Sequence, residues 1–258
     1  MATRRRKKKT SSEKIIVNIL LWLVLTILTV YFSVEYFTQP PKIFYPGFEI
    51  SIPAGYQIHG IDVSRYQKII NWKSVKEMKS RDIRIGFAFI KATEGINKVD
   101  PQFRRNWQEA GKNNLPKGAY HFFIATKSGK KQAANFIQIA ELRRGDLPPV
   151  IDIEKRYGAS VATIQKELKA WLVDVEFHYK VKPIIYTNID FYENYLEDEF
   201  SEYPLWIAHY LQPQKPRLEH NWAFWQHSEQ GRVNGILSPV DFNIFSGDSA
   251  AFKDLLIK

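Results

Sequence analysis

Val150-Ile151-Asp152-Ile153-Glu154 is the stretch of this chain that says most about its fold and its chemistry. Its β-branched residues are typical of a buried strand, and residues two apart on a strand point to the same face. Both carboxylates are therefore expected on one face. Like charges this close disfavour joint ionisation, so one acid can stay protonated near neutral pH and act in acid/base chemistry. Taken alone, the motif more often marks two solvated acids at a strand end.

Short apolar runs on both sides of this stretch alternate with helix-like segments. The predicted strands are Ile58–Val63, Ile85–Lys91, Lys117–Phe122, Val150–Glu154, Pro183–Thr187, Leu205–Ala208, Ala223–His227 and Pro239–Phe242. The predicted helices between the first five strands are Asn71–Ser80, Pro101–Asn113, Gly129–Arg144 and Val161–Tyr179, with Asp100, Ser128 and Ser160 as capping residues. The last three strands are separated by linkers too short and broken for a crossover helix. The pattern predicts an α/β fold, an irregular TIM-like (β/α) barrel of eight strands.

In such barrels, functional side chains cluster at the carboxyl ends of the strands. The polar and aromatic residues at the predicted strand ends are Asp62, Tyr120, His121, Asp152, Glu154, Tyr186, Asn188, Trp206, His209, Trp225, Gln226, Asp241 and Asn243. Four of them are acids that we expect to meet at one mouth. Aromatic rings offer flat apolar faces to sugar rings, although core packing is the commoner role of any single Trp or Tyr.

The first 57 residues differ in kind from the rest. Residues 1–14 form a basic tail, which is predicted to be cytoplasmic, and residues 15–36 are predicted to be a transmembrane signal anchor. The twenty uncharged residues Ile15–Val34 match a hydrocarbon core of about 30 Å. A cleavable signal peptide would have a shorter apolar region. Because the basic cluster precedes the span, the rest of the chain is expected outside the cytoplasm, in the periplasm or the cell-wall space.

Residues 37–57 are rich in Pro and Gly and are predicted to be a short stiff tether, which leaves residues 58–258 as the barrel domain. The net charge is +10, most of it in the basic tail. A nucleic-acid-binding tail is the alternative explanation for that charge, but orientation of a membrane span already accounts for it. The mildly basic remainder argues against a nucleic-acid partner. The chain has no cysteine, which excludes disulfides and thiolate metal sites.

Eight short motifs from His59 to about Phe245 resemble glycoside hydrolase family 25, the lysozymes of the Chalaropsis type. They are Gly60-Ile61-Asp62-Val63-Ser64, Phe89-Ile90-Lys91-Ala92-Thr93-Glu94-Gly95, Gly118-Ala119-Tyr120-His121-Phe122, Asp152-Ile153-Glu154, Tyr186-Thr187-Asn188, Leu205-Trp206-Ile207-Ala208, Trp225-Gln226 and Val240-Asp241-Phe242-Asn243. Each motif is weak alone, but eight in the same order are specific. The sequence departs from the family in one turn. Lys68 stands where the family usually has glycine, and Asn71 stands where it commonly has an acid.

The resemblance implies a (β/α)5(β)3 barrel that hydrolyses the β-1,4 bond between N-acetylmuramic acid and N-acetylglucosamine in peptidoglycan, without a cofactor. It implies that Asp62, Asp152, Glu154 and Asp241 form the active centre, with Glu154 as the proton donor. The expected substrate-binding residues are Tyr120, Tyr186, Trp206, Gln226, Asn243 and Glu94. The sequence says nothing about oligomeric state.

Several alternatives stay open at this stage. Asp152 is suited to orient the 2-acetamido group of the substrate for attack on the anomeric carbon, whereas Asp62 or Asp241 could instead activate water or attack directly. Histidines near strand ends, such as His59, together with aspartate, leave a zinc-dependent peptidoglycan deacetylase or amidase conceivable, although paired metal-ligand spacing is absent and no metal site is expected. His121 and His209 are expected to form hydrogen bonds within the mouth. A catalytically silent wall-binding scaffold on the same barrel is a third possibility.

Overall fold

The computed structural model describes residues 11–38 and 42–258, and the chain divides into two compact units that meet between Pro40 and Pro41. The first unit contains helix α1, Ser11–Thr38. Its segment Lys14–Val34 has a mean hydropathy of 2.5, and none of that segment is buried. By length and composition, this helix could cross a bilayer. The predicted basic tail lies mostly outside the described residues.

The second unit contains all the strands and the remaining helices that the structure describes. The strands are β1 Lys42–Tyr45, β2 Ile50–Pro53, β3 Ile58–Val63, β4 Lys79–Ser80, β5 Ile83–Glu94, β6 Lys98–Val99, β7 Lys117–Phe122, β8 Val150–Asp152, β9 Ile184–Asn188, β10 Leu205–Ala208, β11 Phe224–Gly231 and β12 Val240–Phe245. The helices are α2 Trp72–Glu77, α3 Phe103–Lys112, α4 Gly129–Ile139, α5 Val161–Tyr179, α6 Ile189–Tyr195, α7 Glu197–Phe200 and α8 Ser249–Leu255.

Eight of these strands close into a barrel in the spatial order β3, β12, β11, β10, β9, β8, β7, β5, with β5 pairing back onto β3. Seven of the eight run parallel, and β12 runs antiparallel to both of its neighbours. Helices follow β3, β5, β7, β8 and β9. Within residues 205–248, no helix separates β10, β11 and β12. The eight predicted barrel strands are all present, with ends shifted by a few residues.

Large aromatic side chains fill the barrel interior. Phe89 stacks on Trp206 with ring centroids 4.4 Å apart, and Phe87 and Phe224 meet edge to face at 5.2 Å. A Cβ atom at Gly60 would lie 2.5 Å from the Phe87 ring, so glycine makes room for that ring. Because the aromatic rings fill the interior, the inward-facing polar side chains lie at the open end of the barrel, where the parallel strands end.

A β-hairpin covers the outer face of the barrel where helices are missing. Strands β1 and β2 pair antiparallel, and the Pro46–Glu49 turn between them places Phe48 against Phe242 with ring centroids 5.0 Å apart. Phe48 and Ile52 are fully buried, and the Phe48 carbonyl oxygen accepts a hydrogen bond from the Arg232 amide. Phe242 points outward because its neighbours on β12 point inward.

The hairpin therefore differs from the tether predicted over residues 37–57. Its apolar residues alternate along both strands, but four prolines and two glycines obscured that pattern. The physical cause is the barrel itself, because three strands without helices need other apolar cover. Residues 39–41 of the predicted tether lie outside the described residues.

Two of the three predicted capping residues cap the first turn of their helices as expected. Ser128 accepts a hydrogen bond from the Lys131 amide, and Ser160 accepts one from the Thr163 amide. The third helix starts later than predicted, at Phe103, because Asp100 is used elsewhere. Its two carboxylate oxygens accept hydrogen bonds from the Gln102 and Arg65 amides and so join this helix to the loop after β3. Helix α4 ends at Ile139 rather than at Arg144.

Candidate active site

The four acids predicted from the sequence line one cavity at the open end of the barrel. The cavity has a volume of about 280 Å³. Asp62 ends β3, Asp241 lies opposite Asp62 on β12, and Asp152 ends β8. Strand β8 is two residues shorter than predicted, so Glu154 lies just beyond it. Closure of the barrel brings together acids from three strands that are far apart in sequence.

Asp62 and Asp241 form the first carboxyl pair. Their side chains are hydrogen-bonded to each other, and Asp62 Oδ2 also accepts hydrogen bonds from Gln226 Nε2 and Asn243 Nδ2, each at 2.8 Å. Burial and the neighbouring Asp62 raise the pKa of Asp241 to about 9. Burial raises the pKa of Asp62 only to about 6, because the three hydrogen bonds oppose it. Asp241 therefore carries the proton of this pair at neutral pH, and Asp62 is the anion.

Asp152 and Glu154 form the second carboxyl pair, which is also hydrogen-bonded side chain to side chain. Burial and then the charge of Glu154 raise the pKa of Asp152 well above its ordinary value. Burial also raises the pKa of Glu154. Both shifts favour a proton shared by this pair. Asp152 Oδ1 is buried without a hydrogen-bond partner among the described residues.

Amide and aromatic side chains hold the first pair from behind. Gln226 Oε1 accepts hydrogen bonds from the Tyr186 hydroxyl at 2.9 Å and the Tyr210 hydroxyl at 2.5 Å. Trp206 Nε1 donates to Asn243 Oδ1 at 2.8 Å. These contacts fix the orientation of both amides, so that their NH₂ groups face Asp62. These amide groups therefore favour the ionised form of Asp62 even when no ligand is bound.

The predicted binding residues divide into those that line the cavity and those behind it. Tyr120, Tyr186, Trp206 and Gln226 line it. Asn243 reaches it only through Asp62. Glu94 does not line the cavity, because its carboxylate is held by Lys91 at 2.9 Å and Lys98 at 2.8 Å. Burial opposes ionisation of Glu94, but these two lysines outweigh burial and lower its pKa to about 2.

Eight further residues line the cavity without having been predicted as site residues: Val63, Ser64, Tyr66, Gln67, Lys91, Phe122, Tyr210 and Glu229. Lys91 is the most informative of them, because its side chain is only 14 % exposed and its charge favours ionisation of both acids in the second pair. The signal for Lys91 was present in the sequence. It stands two residues after Phe89 on a strand whose alternate residues face the interior.

The histidines do not contribute to the cavity. His121 lies on the other side of the sheet, with Nδ1 2.7 Å from Thr93 Oγ1 and its ring stacked on Trp171. His209 Nδ1 accepts a hydrogen bond from the Arg217 amide at 3.3 Å. The expectation that both form hydrogen bonds within the mouth is therefore wrong, because β-strand alternation turns His121 outward and His209 follows the end of β10. Within residues 11–38 and 42–258, no group of three or more metal-binding side chains is arranged to hold a metal ion.

Comparison with known proteins identifies close relatives of the barrel unit. The profile of "Glycosyl hydrolases family 25" matches residues 61–236. The uncharacterized protein YegX of Escherichia coli K12 is 48 % identical over 200 residues, which cover 78 % of this chain and 74 % of that protein. Lysozyme M1 of Streptomyces globisporus is 34 % identical over 212 residues, 75 % of this chain and 69 % of that protein.

Solved structures share the same barrel. The structure of a family 25 glycosyl hydrolase from Bacillus anthracis matches with a TM-score of 0.71 and 34 % identity, over 77 % of this chain and 93 % of that one. A bacterial lysozyme from Streptomyces coelicolor matches with a TM-score of 0.70 and 32 % identity, over 77 % of this chain and 96 % of that one. In both cases nearly the whole solved chain is matched.

Proposed function

This chain belongs to glycosyl hydrolase family 25 and is a peptidoglycan hydrolase with lysozyme activity, and from that premise we propose that it cleaves the β-1,4 bond between N-acetylmuramic acid and N-acetylglucosamine with Glu154 as general acid. The observation that carries this assignment is the proton-holding pair of Asp152 and Glu154 in a cavity that also contains the anion Asp62. We describe the barrel accordingly as (β/α)5(β)3.

Glu154 is the member of its pair that is better placed to meet a leaving-group oxygen. It is partly exposed in the cavity wall, whereas Asp152 is buried behind it. In the free enzyme the buried Asp152 is the better site for the proton, because burial penalises its charge most. When a substrate N–H group reaches Asp152, ionised Asp152 becomes favourable and the proton passes to Glu154, from which it can be donated.

The unpartnered Asp152 Oδ1 supports substrate assistance. A buried acceptor without a donor costs free energy, and an acetamido N–H would satisfy it. Holding that N–H turns the acetamido oxygen toward the anomeric carbon, where it can attack in place of a protein nucleophile. Asp152 is thus proposed as the residue that orients the acetamido group.

The first pair is a poor source of a nucleophile or base. Asp62 Oδ2 already accepts two amide hydrogen bonds, and the carboxyl group of Asp241 keeps its proton at neutral pH. Both facts weigh against water activation by these two aspartates. Their proposed role is to place a fixed negative charge where the sugar ring becomes positive in the transition state. The residues proposed to contact the sugar are Tyr120, Tyr186 and Trp206. Gln226 and Asn243 are proposed to hold Asp62 in place, and Glu94 is proposed to hold Lys91.

We also propose that α1 anchors the enzyme in the membrane, with the N-terminus cytoplasmic and the barrel outside. The apolar segment Lys14–Val34 and the basic residues before it support this orientation. We expect the full-length protein to stay in the membrane pellet after extraction with alkaline carbonate. Release into the supernatant would contradict an integral anchor, and a shortened N-terminus in the mature protein would identify α1 as a signal sequence.

The proposed bond specificity predicts the identity of the new reducing end. Purified full-length enzyme in detergent should release reducing ends from peptidoglycan, and borohydride reduction of the products should convert muramic acid, not glucosamine, into its alcohol. This follows because the acid protonates the oxygen that leaves with the glucosamine unit. Chromatography of the reduced, acid-hydrolysed products measures it.

Two outcomes of that assay would redirect the assignment. Glucosaminitol in place of muramitol would mean that the other glycosidic bond is cut. Binding to peptidoglycan without any reducing ends would indicate the silent scaffold. A glycan that carries 2-hydroxyl groups in place of the 2-acetamido groups distinguishes acetamido assistance from attack by water or by a protein nucleophile. If the enzyme cleaves this glycan as fast as the acetamido substrate, acetamido assistance is ruled out.

A further inference from the structure

One wall of the mouth carries positive charge that the chemistry at the four acids does not use. This wall, called the lip below, is the loop Arg65–Ile69 that follows β3. Tyr66 and Gln67 of the lip line the active-site cavity, and Arg65 and Lys68 are exposed beside them. The lip is held against the strand that carries Asp241, because Gln67 Nε2 donates to the Pro239 carbonyl oxygen at 3.2 Å.

Lys68 occupies a backbone conformation that suits glycine. Its φ is +55° and its ψ is −130°, a region in which a Cβ atom is unfavourable. Strain of this kind costs about 1–3 kcal/mol and tends to persist where it serves a function. Glycine would relieve this strain, so the lysine at position 68 is not there for the backbone conformation.

Helix α2 begins soon after the lip and is capped by an uncharged residue, Asn71. Asn71 caps helix α2 through a hydrogen bond from the Ser74 amide to its Oδ1, a role that an acid would also fill. The asparagine cap therefore adds no negative charge to the segment that follows the lip.

The cations of the lip are not paired with an acid, although the charges of Glu94 and Asp100 act on Arg65. Within the described part of the chain, neither the Arg65 guanidinium nor the Lys68 ammonium group forms a salt bridge, and Arg65 instead lies over the Tyr66 ring at 5.3 Å. Apolar side chains surround them. Tyr66 is 68 % exposed, and the exposed Ile69 and Leu237 lie on the same loop and on the neighbouring loop before β12.

We propose that the lip binds the stem peptide of peptidoglycan, with Arg65 and Lys68 contacting its carboxylates and the exposed Tyr66, Ile69 and Leu237 contacting its methyl-bearing side chains. This inference rests on the proposed function. The stem peptide is an acidic peptide attached to the muramic acid unit, so it leaves the glycan next to the bond that is cut. The enzyme therefore prefers glycan whose stem peptides carry free carboxylates.

The test compares KM and kcat of the full-length enzyme in detergent on three preparations of one peptidoglycan. The first is native, the second has its peptide carboxylates converted to amides, and the third has been stripped of phosphodiester-linked polymers by hydrofluoric acid. The variants are Arg65→Gln and Lys68→Gln, and the control is Lys73→Gln, an exposed lysine on α2 that lies 3.9 Å from Glu77. On native substrate, each lip variant should raise KM about two- to fivefold with kcat unchanged, as expected for one exposed ion pair.

The three substrates separate the possible results. If the proposal holds, amidation raises the wild-type KM and abolishes the difference between wild type and lip variants, while stripping changes nothing. Equal KM on native and amidated substrate would overturn it, and so would an equal loss in Lys73→Gln. A KM effect that disappears on stripping instead would assign the lip to an anionic phosphate polymer. Wild-type enzyme inactive on all three substrates would refute the proposed function itself.

Lys68→Gly provides a second readout that a purely structural lysine would not give. Because glycine relieves the positive φ, this variant should unfold at a higher temperature than wild type while showing the same increase in KM as Lys68→Gln. A gain in stability without any change in KM would show that the charge is unused and would overturn the proposal.

Discussion

Glu154→Gln should lower kcat for the release of reducing ends from peptidoglycan by about 10³-fold, within the range lost when a general acid is removed. Glutamine keeps the size and hydrogen-bonding capacity of the side chain but has no proton to donate to the leaving oxygen. The fold should be unaffected, because Glu154 lies beyond the end of β8 and only its carboxyl group enters the cavity. Reducing-end assays and thermal unfolding, run side by side on full-length protein, measure the two effects.

The matched control is Glu193→Gln, the same change on the exposed face of α6, which should leave both activity and unfolding unchanged. The pH profile adds a second check. Burial raises the pKa of both acids in the Asp152–Glu154 pair, so activity should fall as rising pH removes the proton that the pair shares, at a higher pH than for ordinary carboxyl groups. Equal activity of wild type and Glu154→Gln would rule out Glu154 as the acid.

Removal of residues 1–56 should destabilise the barrel far more than removal of residues 1–41. A chain that starts at Gln57 lacks the hairpin and leaves the outer face around Phe242 open to water, whereas a chain that starts at Lys42 keeps the hairpin. Four hairpin side chains, Tyr45, Phe48, Ile50 and Ile52, are buried. At about 1.5–3 kcal/mol for each large side chain, their loss approaches the whole stability of a typical domain, about 5–15 kcal/mol.

Thermal unfolding and size-exclusion chromatography of the two truncated proteins distinguish the outcomes. The protein that starts at Gln57 should aggregate or unfold near room temperature, and the one that starts at Lys42 should be monodisperse and fully active. Phe48→Ala in the longer protein offers a graded version, with an expected loss of about 3–5 kcal/mol of unfolding free energy. Similar unfolding temperatures for the two truncated proteins would mean that the hairpin is not part of the folded unit.

Most of the fold could be predicted because its signals are local. The strands Ile58–Val63, Lys117–Phe122 and Leu205–Ala208 and the helix Val161–Tyr179 agree with the predicted bounds, since apolar periodicity and capping residues act over a few neighbouring positions. The hairpin was missed because its cause is distant. It forms where the barrel leaves three strands without helices, and prolines in its turn and flanks resemble those of a linker.

The candidate site shows the same division. Its four acids could be placed at strand ends from pattern and family resemblance alone, because the carboxyl ends of parallel strands share one mouth. The sequence could not predict which acid of each pair holds the proton. That depends on burial and on hydrogen-bond donors such as Gln226, which is 164 residues from Asp62. The contacts of Glu94 could not be predicted for a similar reason, because they depend on where Lys91 and Lys98 place their ammonium groups.

The sequence by itself determined the order of the eight barrel strands and of the four helices between the first five, the apolar N-terminal helix and the four acids at strand ends. Only the tertiary structure decided that these acids form two hydrogen-bonded pairs, that Lys91 faces the second pair, and that residues 42–53 complete the barrel wall. The physical reason is the distance along the sequence over which each effect acts. Backbone periodicity and capping depend on neighbours a few residues away, whereas desolvation, carboxyl pairing and surface cover depend on which distant segments the closed sheet brings into contact.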